Sequence, residues 1–397
     1  AAGDARVLNR LRRLLMVASL LAAPVSVGAS ASTDEVVASG ASPPALTGYV
    51  AWWLGDAWKT TPLDGFERLL FIEQRIDASG RIDEANGWPE QWQDLRDAAR
   101  DAGVGIDLSL ALVQESDFAT VFGSPEARRR LLRETSRLLR QPDVAGLHID
   151  IEVYRKASTS PEAIEGFRDF VETLSRRAQH SKRWELSAFL PIGGELQLYA
   201  PGSLDGMPRV VVQGYDAHWP DGPRAGPVAP LNGPEAVTWA KALTEARALG
   251  VDDARIRLAF PLYGYEWPVA GEGWRRETNG QGRVVPFAAL PPALRGNFPS
   301  SVLERVAAHG AVFHAGPASG SYALTVSGAP WEGWFEDWTS LQIKRQWLAC
   351  EGVDGMALFA LGYDAGALVS SLARSLPEAS ACPAMSRGRS AVRGSHH

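Results

Sequence analysis

The feature that most constrains this chain is a rhythm. From residue 45 onward, short apolar runs alternate with longer amphipathic ones. Eight runs have the length and composition of strands: 46–53, 68–76, 104–112, 144–152, 184–190, 209–215, 255–262 and 353–361. Between them, apolar residues recur at helical spacing over 87–102, 125–140, 160–180, 234–249 and 338–351. The segment SPEARRRLLRETSRLLR (124–140) shows the local logic. Ser124 is a capping residue, Pro125 suits a first turn that needs no N–H, and Glu126 complements the positive end of the helix. Strand–helix alternation implies parallel strands, because each crossover returns the chain to the same end of the sheet. Eight such strands predict a closed (β/α)8 barrel, an α/β fold. An open doubly wound sheet would place a glycine-rich phosphate loop after its first strand, and residues 54–60 contain no such loop.

The rhythm breaks once. Residues 267–334 are rich in Gly, Pro and aromatics, with SYALTV (321–326) strand-like among them. This is too long for a βα loop and predicts a small α+β insertion between the seventh and eighth strands. Barrel and insertion together are expected to span 45–372.

Inside the fourth apolar run, AGLHIDIEVY (145–154), stand two carboxylates, Asp150 and Glu152. Residues two apart on a strand share a face. Asp150 and Glu152 therefore point into the barrel near its C-terminal mouth, with His148 behind them and Leu147, Ile149 and Ile151 turned to the helices. The C-terminal mouth is where sites form in this architecture. Two carboxylates this close resist joint ionisation, so one tends to keep its proton. The structural alternative is an ion pair with an inward arginine, and no neighbouring strand obviously offers one. Glu73, at the end of the second strand, faces either the cleft or a salt-bridge partner.

Charge narrows the function further. The net charge is −6, and beyond the N-terminus there is no dense Lys/Arg patch, only isolated Arg pairs on helices. Nucleic acid is not an expected partner. Arg10, Arg12 and Arg13 precede an apolar stretch at 14–27, and Ala29, Ser30 and Ala31 follow as small residues. This pattern predicts a signal peptide over 1–31, with an uncleaved anchor as the alternative, a Ser/Ala/Pro-rich linker over 32–44, and a secreted or periplasmic, cell-envelope protein with no stable membrane span after signal removal. Residues 373–397 read as a tail whose end, RGSHH, is tag-like. The two cysteines, Cys350 and Cys382, lack metal-ligand spacing; a disulfide and two free thiols both remain open. Trp52 and Trp53 end the first strand, and alternation turns only one inward; Trp53 is a candidate sugar contact. Trp331, Trp334 and Trp338 flank the exit of the insertion, where at least one is expected to pack it onto the barrel. For His218 and Trp219, which follow the sixth strand, a glycan contact and plain loop packing are both open.

AGLHIDIE resembles the D-G-x-D-x-D-x-E signature of glycoside hydrolase family 18, the chitinase-like barrels. Three further stretches agree in order. VVQGYDAHW (211–219) resembles the family's sixth-strand M-x-Y-D motif, and LAFPLYGYEW (258–267) its seventh-strand G-I-P-x-Y-G-x-x-W. WFEDWTSLQIKRQWLACEGVDGMALFALGYD (334–364) resembles its Y-D-D-x-x-S-x-x-x-K run, helix and final strand. GPVAPLN (226–232), PLYGYEW and WFED look closest to the spore-cortex and peptidoglycan-directed branch. The resemblance covers most of 46–372. It implies a retaining, substrate-assisted hydrolase of β-1,4-linked N-acetylglucosamine glycans, chitin or peptidoglycan strands, without metal or organic cofactor; nothing in the sequence argues for a dimer, so a monomer is expected. Carried over residue by residue, it makes Glu152 the general acid/base and Asp150 the stabiliser of the oxazolinium ion. Tyr215 would hydrogen-bond the acetamido oxygen with Asp216 assisting, and Tyr263 would line the cleft. The departures from the pattern are specific. Ala145 and His148 replace the signature's first two aspartates, Gln213 replaces the sixth-strand Met, and Phe359 replaces the final-strand Trp that floors the sugar pocket. His148, Gln213 and Phe359 take those positions as candidate substrate-side residues, and a protonated His148 would hold Asp150 ionised. A second reading follows from the departures: a catalytically impaired barrel that binds glycans without cutting them. A third, an endo-acting enzyme on N-linked glycans, is disfavoured by the insertion.

Overall fold

The computed structural model describes residues 45–112 and 114–372. The signal, linker and tail expected at 1–44 and 373–397, and Cys382 with them, lie outside the described residues. The chain runs through β1 (Ala45–Ala51), β2 (Phe66–Ile76), a short β3 (Ile82–Glu84), α1 (Gln93–Asp101), β4 (Gly105–Leu112), α2 (Asp117–Gly123) and α3 (Pro125–Leu138). It continues through β5 (Val144–Ile149), α4 (Pro161–Gln179), β6 (Glu185–Leu190), β7 (Val210–Val212), α5 (Trp239–Ala248) and β8 (Ile256–Pro261). After β8 come β9 (Tyr263–Pro268), β10 (Arg283–Pro286), α6 (Val302–His309), β11 (Val312–His314), β12 (Ser319–Val326) and β13 (Ala329–Phe335). The described part ends with α7 (Trp338–Glu351), β14 (Gly355–Phe359) and α8 (Ala367–Leu372).

Eight parallel strands close a cylinder in the order β1-β2-β4-β5-β6-β7-β8-β14, and β14 returns to β1 from Ala45↔Gly355 to Gly48↔Leu358. The (β/α)8 barrel read from the rhythm is therefore present. β3 folds back antiparallel on the end of β2. The helices start where the sequence supplies caps. Ser124 accepts from the Ala127 N–H (3.3 Å), Ser160 from Ala163 (3.2 Å) and Asp337 from Ser340 (2.8 Å). Two helices begin later than the apolar spacing implies. Pro89 confines the chain before α1, and Thr238 caps α5 at 239 rather than 234. The strands also end early at the mouth. β5 stops at 149 instead of 152 and β7 at 212 instead of 215, although Asp150 N–H still reaches Leu110 O (3.0 Å) and Gln213 N–H reaches Leu190 O (3.0 Å).

Inward arginines do exist, which corrects the sequence reading, but they lie at the end of the cylinder opposite the mouth. Arg209 bonds Glu185 (2.6 Å) and approaches Asp107 (3.4 Å); Arg68 also bonds Glu185 and lies 3.4 Å from Asp107. Burial pushes the Asp107 carboxyl up to about 6 against the pull of both arginines. This charged plug spans strands from across the barrel and leaves Asp150 unpaired by any of its cations.

The chain between β8 and α7 forms a five-stranded antiparallel sheet, β10-β9-β13-β12-β11, with α6. It begins at Tyr263, ahead of the 267 expected, and so takes in the second half of the stretch that resembles the family's seventh-strand motif. Buried Glu266 gathers Arg283 (2.6 Å), Arg305 (2.6 Å) and the Tyr322 hydroxyl (2.9 Å) at its centre. A fully buried ion pair, Lys344 Nζ to Glu336 Oε2 (2.6 Å), ties the sheet's exit to α7. Glu336 also accepts from Ser319 Oγ (2.7 Å) and from the Ala229 N–H (3.3 Å). Trp334 is buried among Trp274 and His314, Trp331 is half-buried under Arg283, and Trp338 is exposed. No helix among the described residues is long and apolar enough to cross a membrane.

Candidate active site

Four alternate residues of one segment climb from the barrel interior to its mouth: His148, Asp150, Glu152 and Tyr154. The lowest, His148, is fully buried. Its Nε2 lies 2.9 Å from the Tyr49 hydroxyl and its Nδ1 2.9 Å from Ser187 Oγ. Both ring nitrogens are spent on protein, and burial with nearby Arg209 holds the imidazole down at about 3. His148 is therefore neutral and does not face substrate. This corrects both expectations for it: the side chain cannot touch a sugar, and no imidazolium holds Asp150 ionised.

Asp150 is buried above it. Its carboxyl is held well above the usual range, first by burial and then by the charges of Glu152 and Glu73. Glu73 itself pairs with Arg75 (2.6 Å) while remaining close enough to act on Asp150. Glu152 is exposed in the cleft, yet protein crowds its carboxyl on the barrel side. That loss of hydration pushes it up to about 7; the Tyr154 hydroxyl, donating to Oε2, works in the opposite direction, while Asp216 and Glu115 add to the rise. Water reaches this group, so the upward direction carries the chemistry. The two acids titrate as one system that keeps a proton near neutrality.

Around this pair stands an aromatic wall. Phe359, half-buried at the end of β14, is ringed by Tyr49 (5.2 Å between centroids), Tyr215 (5.4 Å), Tyr263 (6.3 Å) and Trp53 (6.3 Å). Trp53 donates its indole N–H to the Tyr363 hydroxyl (3.1 Å). Asp216 sits at φ 59°, a left-handed conformation that Asp tolerates better than most residues. The hydroxyls of Tyr263 (2.6 Å) and Tyr265 (2.8 Å) both donate to its Oδ1 and fix its direction. Among the described residues, no hydrogen bond engages the Tyr215 hydroxyl, so it is free for a ligand.

The structure thus brings Asp150, Glu152, Tyr215, Asp216, Tyr263, Phe359 and Trp53 together and sets three candidates apart. Besides His148, Gln213 is buried with its amide committed: Oε1 accepts from the Ile192 N–H (2.8 Å) and Nε2 donates to Tyr215 O (3.3 Å). It supports the wall rather than touching substrate. His218 bonds Pro227 O (3.0 Å) and lies where any side chain at residue 226 would sit, so Gly226 is required there and His218 serves loop packing. Sequence reasoning missed Tyr49, Tyr154 and Tyr265. Alternation was the available signal: Tyr154 continues the 148–150–152 series, and Tyr265 follows Tyr263 at the same spacing. Among the described residues, no group of three or more His, Cys, Asp or Glu is placed to hold a metal ion.

The sequence model of the glycosyl hydrolases family 18 matches residues 70–364. The chain belongs to that family. No curated protein sequence matches it closely enough to add to this assignment. Solved structures of family 18 proteins share the fold at low identity. A chitinase from Chromobacterium violaceum ATCC 12472 superposes with a TM-score of 0.63 at 19% identity, over 83% of this chain and 99% of that one. The GH18 chitinase from Cycas revoluta in complex with (GlcNAc)3 gives 0.66 at 18% identity, over 83% and 98%. The spore cortex-lytic enzyme SleL of Bacillus megaterium QM B1551 gives 0.60 at 16% identity, over 84% and 74%. This family 18 barrel is accordingly a glycoside hydrolase fold with its acidic pair at the mouth.

Proposed function

We propose that the protein is an exported, monomeric hydrolase of β-1,4-linked N-acetylglucosamine glycans that works by substrate assistance with retention. The observation that carries this reading is the stacked pair: Glu152 pushed up to about 7 in the cleft, with buried Asp150 directly beneath it in the alternation. Glu152 delivers its proton to the glycosidic oxygen as the bond to the anomeric carbon breaks. The substrate's 2-acetamido oxygen attacks the same carbon and forms an oxazolinium ion. With the proton of the pair on Glu152, Asp150 is ionised; it orients the acetamido N–H and offsets its growing positive charge, and the free Tyr215 hydroxyl meets the acetamido oxygen. Glu152, now ionised, takes a proton from the water that opens the ring, and the original configuration returns. The Phe359–Tyr263–Trp53 wall offers the apolar faces on which a sugar ring packs. Chitin and peptidoglycan strands share this chemistry, and the superposed structures include both a chitinase and a cortex-lytic enzyme.

The test is mass spectrometry of products from chitooligosaccharides and from N-acetylated muramyl glycans, with wild type beside Glu152→Gln. The variant is expected to lose roughly 10²–10⁴-fold in rate while binding glycan as before. Whichever glycan wild type cuts names the substrate. Binding of both proteins with cleavage by neither would make this barrel a glycan receptor.

A further inference from the structure

The mechanism above uses Asp150 and Glu152 of the climbing series and leaves Tyr154 without a task. Yet Tyr154 is firmly seated. Its N–H donates to Glu115 Oε1 (2.9 Å) and its carbonyl accepts from the Glu195 N–H (2.9 Å), so the backbone is held on both sides. Its hydroxyl donates to Glu152 Oε2 and stands 3.1 Å from Gln213 Oε1. Gln213 cannot turn away, because the Ile192 N–H fixes the same oxygen and Tyr215 O takes the amide nitrogen. One phenolic proton thus faces two acceptors, one of which titrates. The phenol stays protonated throughout, since burial and the neighbouring Glu152 push it well above its ordinary value.

We propose that Tyr154 is a positioning residue for the general acid: it occupies Glu152 Oε2, which leaves Oε1 to carry the transferable proton, and Gln213 moderates its grip by competing for the same hydroxyl. This rests on Glu152 being the proton donor. The signature ends at the glutamate and expects Met at 213, so the resemblance assigns no role to either Tyr154 or Gln213. The other carboxylates around Glu152 oppose its ionisation: Asp150 lies below it, Asp216 follows β7 and Glu115 follows β4. Tyr49 and Tyr215 stand in the wall as neutral phenols. Glu73 of β2 acts on Asp150, and Arg155 is turned to Glu115 (2.9 Å). Tyr154 is the group that favours the carboxylate. Without it Glu152 would hold its proton too tightly to serve as the base in the second step. No proton leaves Tyr154; the one transferred moves from Glu152 Oε1 to the glycosidic oxygen.

The experiment reads the Glu152 carboxyl directly. Infrared difference titration of the C=O stretch would follow wild type, Tyr154→Phe and Gln213→Met, each against its own Glu152→Gln version. The basic limb of kcat/KM on chitooligosaccharides would be recorded in parallel. In Tyr154→Phe the carboxylate loses a charge-assisted hydrogen bond, and both midpoints should rise by about one to two pH units. In Gln213→Met the competitor is gone, the grip tightens, and both should fall. A side chain that merely packs would move neither. An unmoved carboxyl midpoint in Tyr154→Phe overturns the proposal, as do two variants shifting in the same direction; Tyr154→Phe alone decides if Gln213→Met does not fold. Carboxyl shifts of the expected signs with no cleavage by wild type would overturn the hydrolase reading and uphold the Tyr154 assignment.

Discussion

His148 lets the fold feel acid. In the unfolded chain an imidazole takes a proton near 6.5, whereas here burial holds it at about 3. A depressed value means that its contribution is fully present above 6.5 and is lost as pH falls towards 3. Between pH 7 and pH 4.5 the wild type should lose roughly 2–3 kcal/mol more stability than His148→Gln, which keeps polar groups for Tyr49 and Ser187 but cannot titrate. Urea unfolding at the two pH values measures this, and equal losses would refute it. The same residue shows what sequence can and cannot tell. That Asp150 and Glu152 share a face follows from alternation and needs no structure. That His148 is neutral does not follow, because its partners are Tyr49 on β1 and Ser187 on β6, 99 and 39 residues away. The same holds for Gln213, whose amide is taken by the Ile192 N–H and Tyr215 O, and for His218, where the bond to Pro227 O favours the loop-packing reading of the two left open.

The insertion is fastened to the barrel by a buried charge. Glu336 and Lys344 are both shut off from solvent, and their partners are a serine hydroxyl, a backbone N–H and a backbone carbonyl. Removing one partner strands the other charge. Lys344→Met should cost about 3–5 kcal/mol, and adding Glu336→Gln should restore part of it. Thermal melts of the two variants check this; a single variant as stable as wild type would show the pair to be dispensable. At this scale the sequence speaks clearly of element type and less clearly of boundaries. Strand cores, capped helices and the run at 321–326 fall where periodicity puts them. The start of the inserted sheet does not, because apolar character runs unbroken from β8 into β9. The chain leaves the cylinder at Leu262, whose N–H reaches Phe359 O (2.7 Å) and whose carbonyl receives Phe287 N–H (3.1 Å). Only tertiary pairing reveals that turn. The seven-residue helix α2 was missed because its apolar stretch is too short for a helical period to register.

The whole cylinder depends on its last strand. β14 lies between β8 and β1, and its register with β1 joins residues about 310 positions apart. A chain ending after α7 would leave both neighbours with open edges of unpaired N–H and C=O groups. Such a truncation should elute as soluble aggregate and lack a cooperative melt; a monomer with a sharp transition would show that seven strands suffice. The length of that separation was visible as soon as eight strands were counted, since a closed ring must join its first to its last. On the ribosome it becomes a delay. At about 5–20 residues per second, β1 waits roughly 15–60 s for its partner to be made. Chains stalled short of residue 355 are therefore the species in which one nascent molecule is most prone to pair with another.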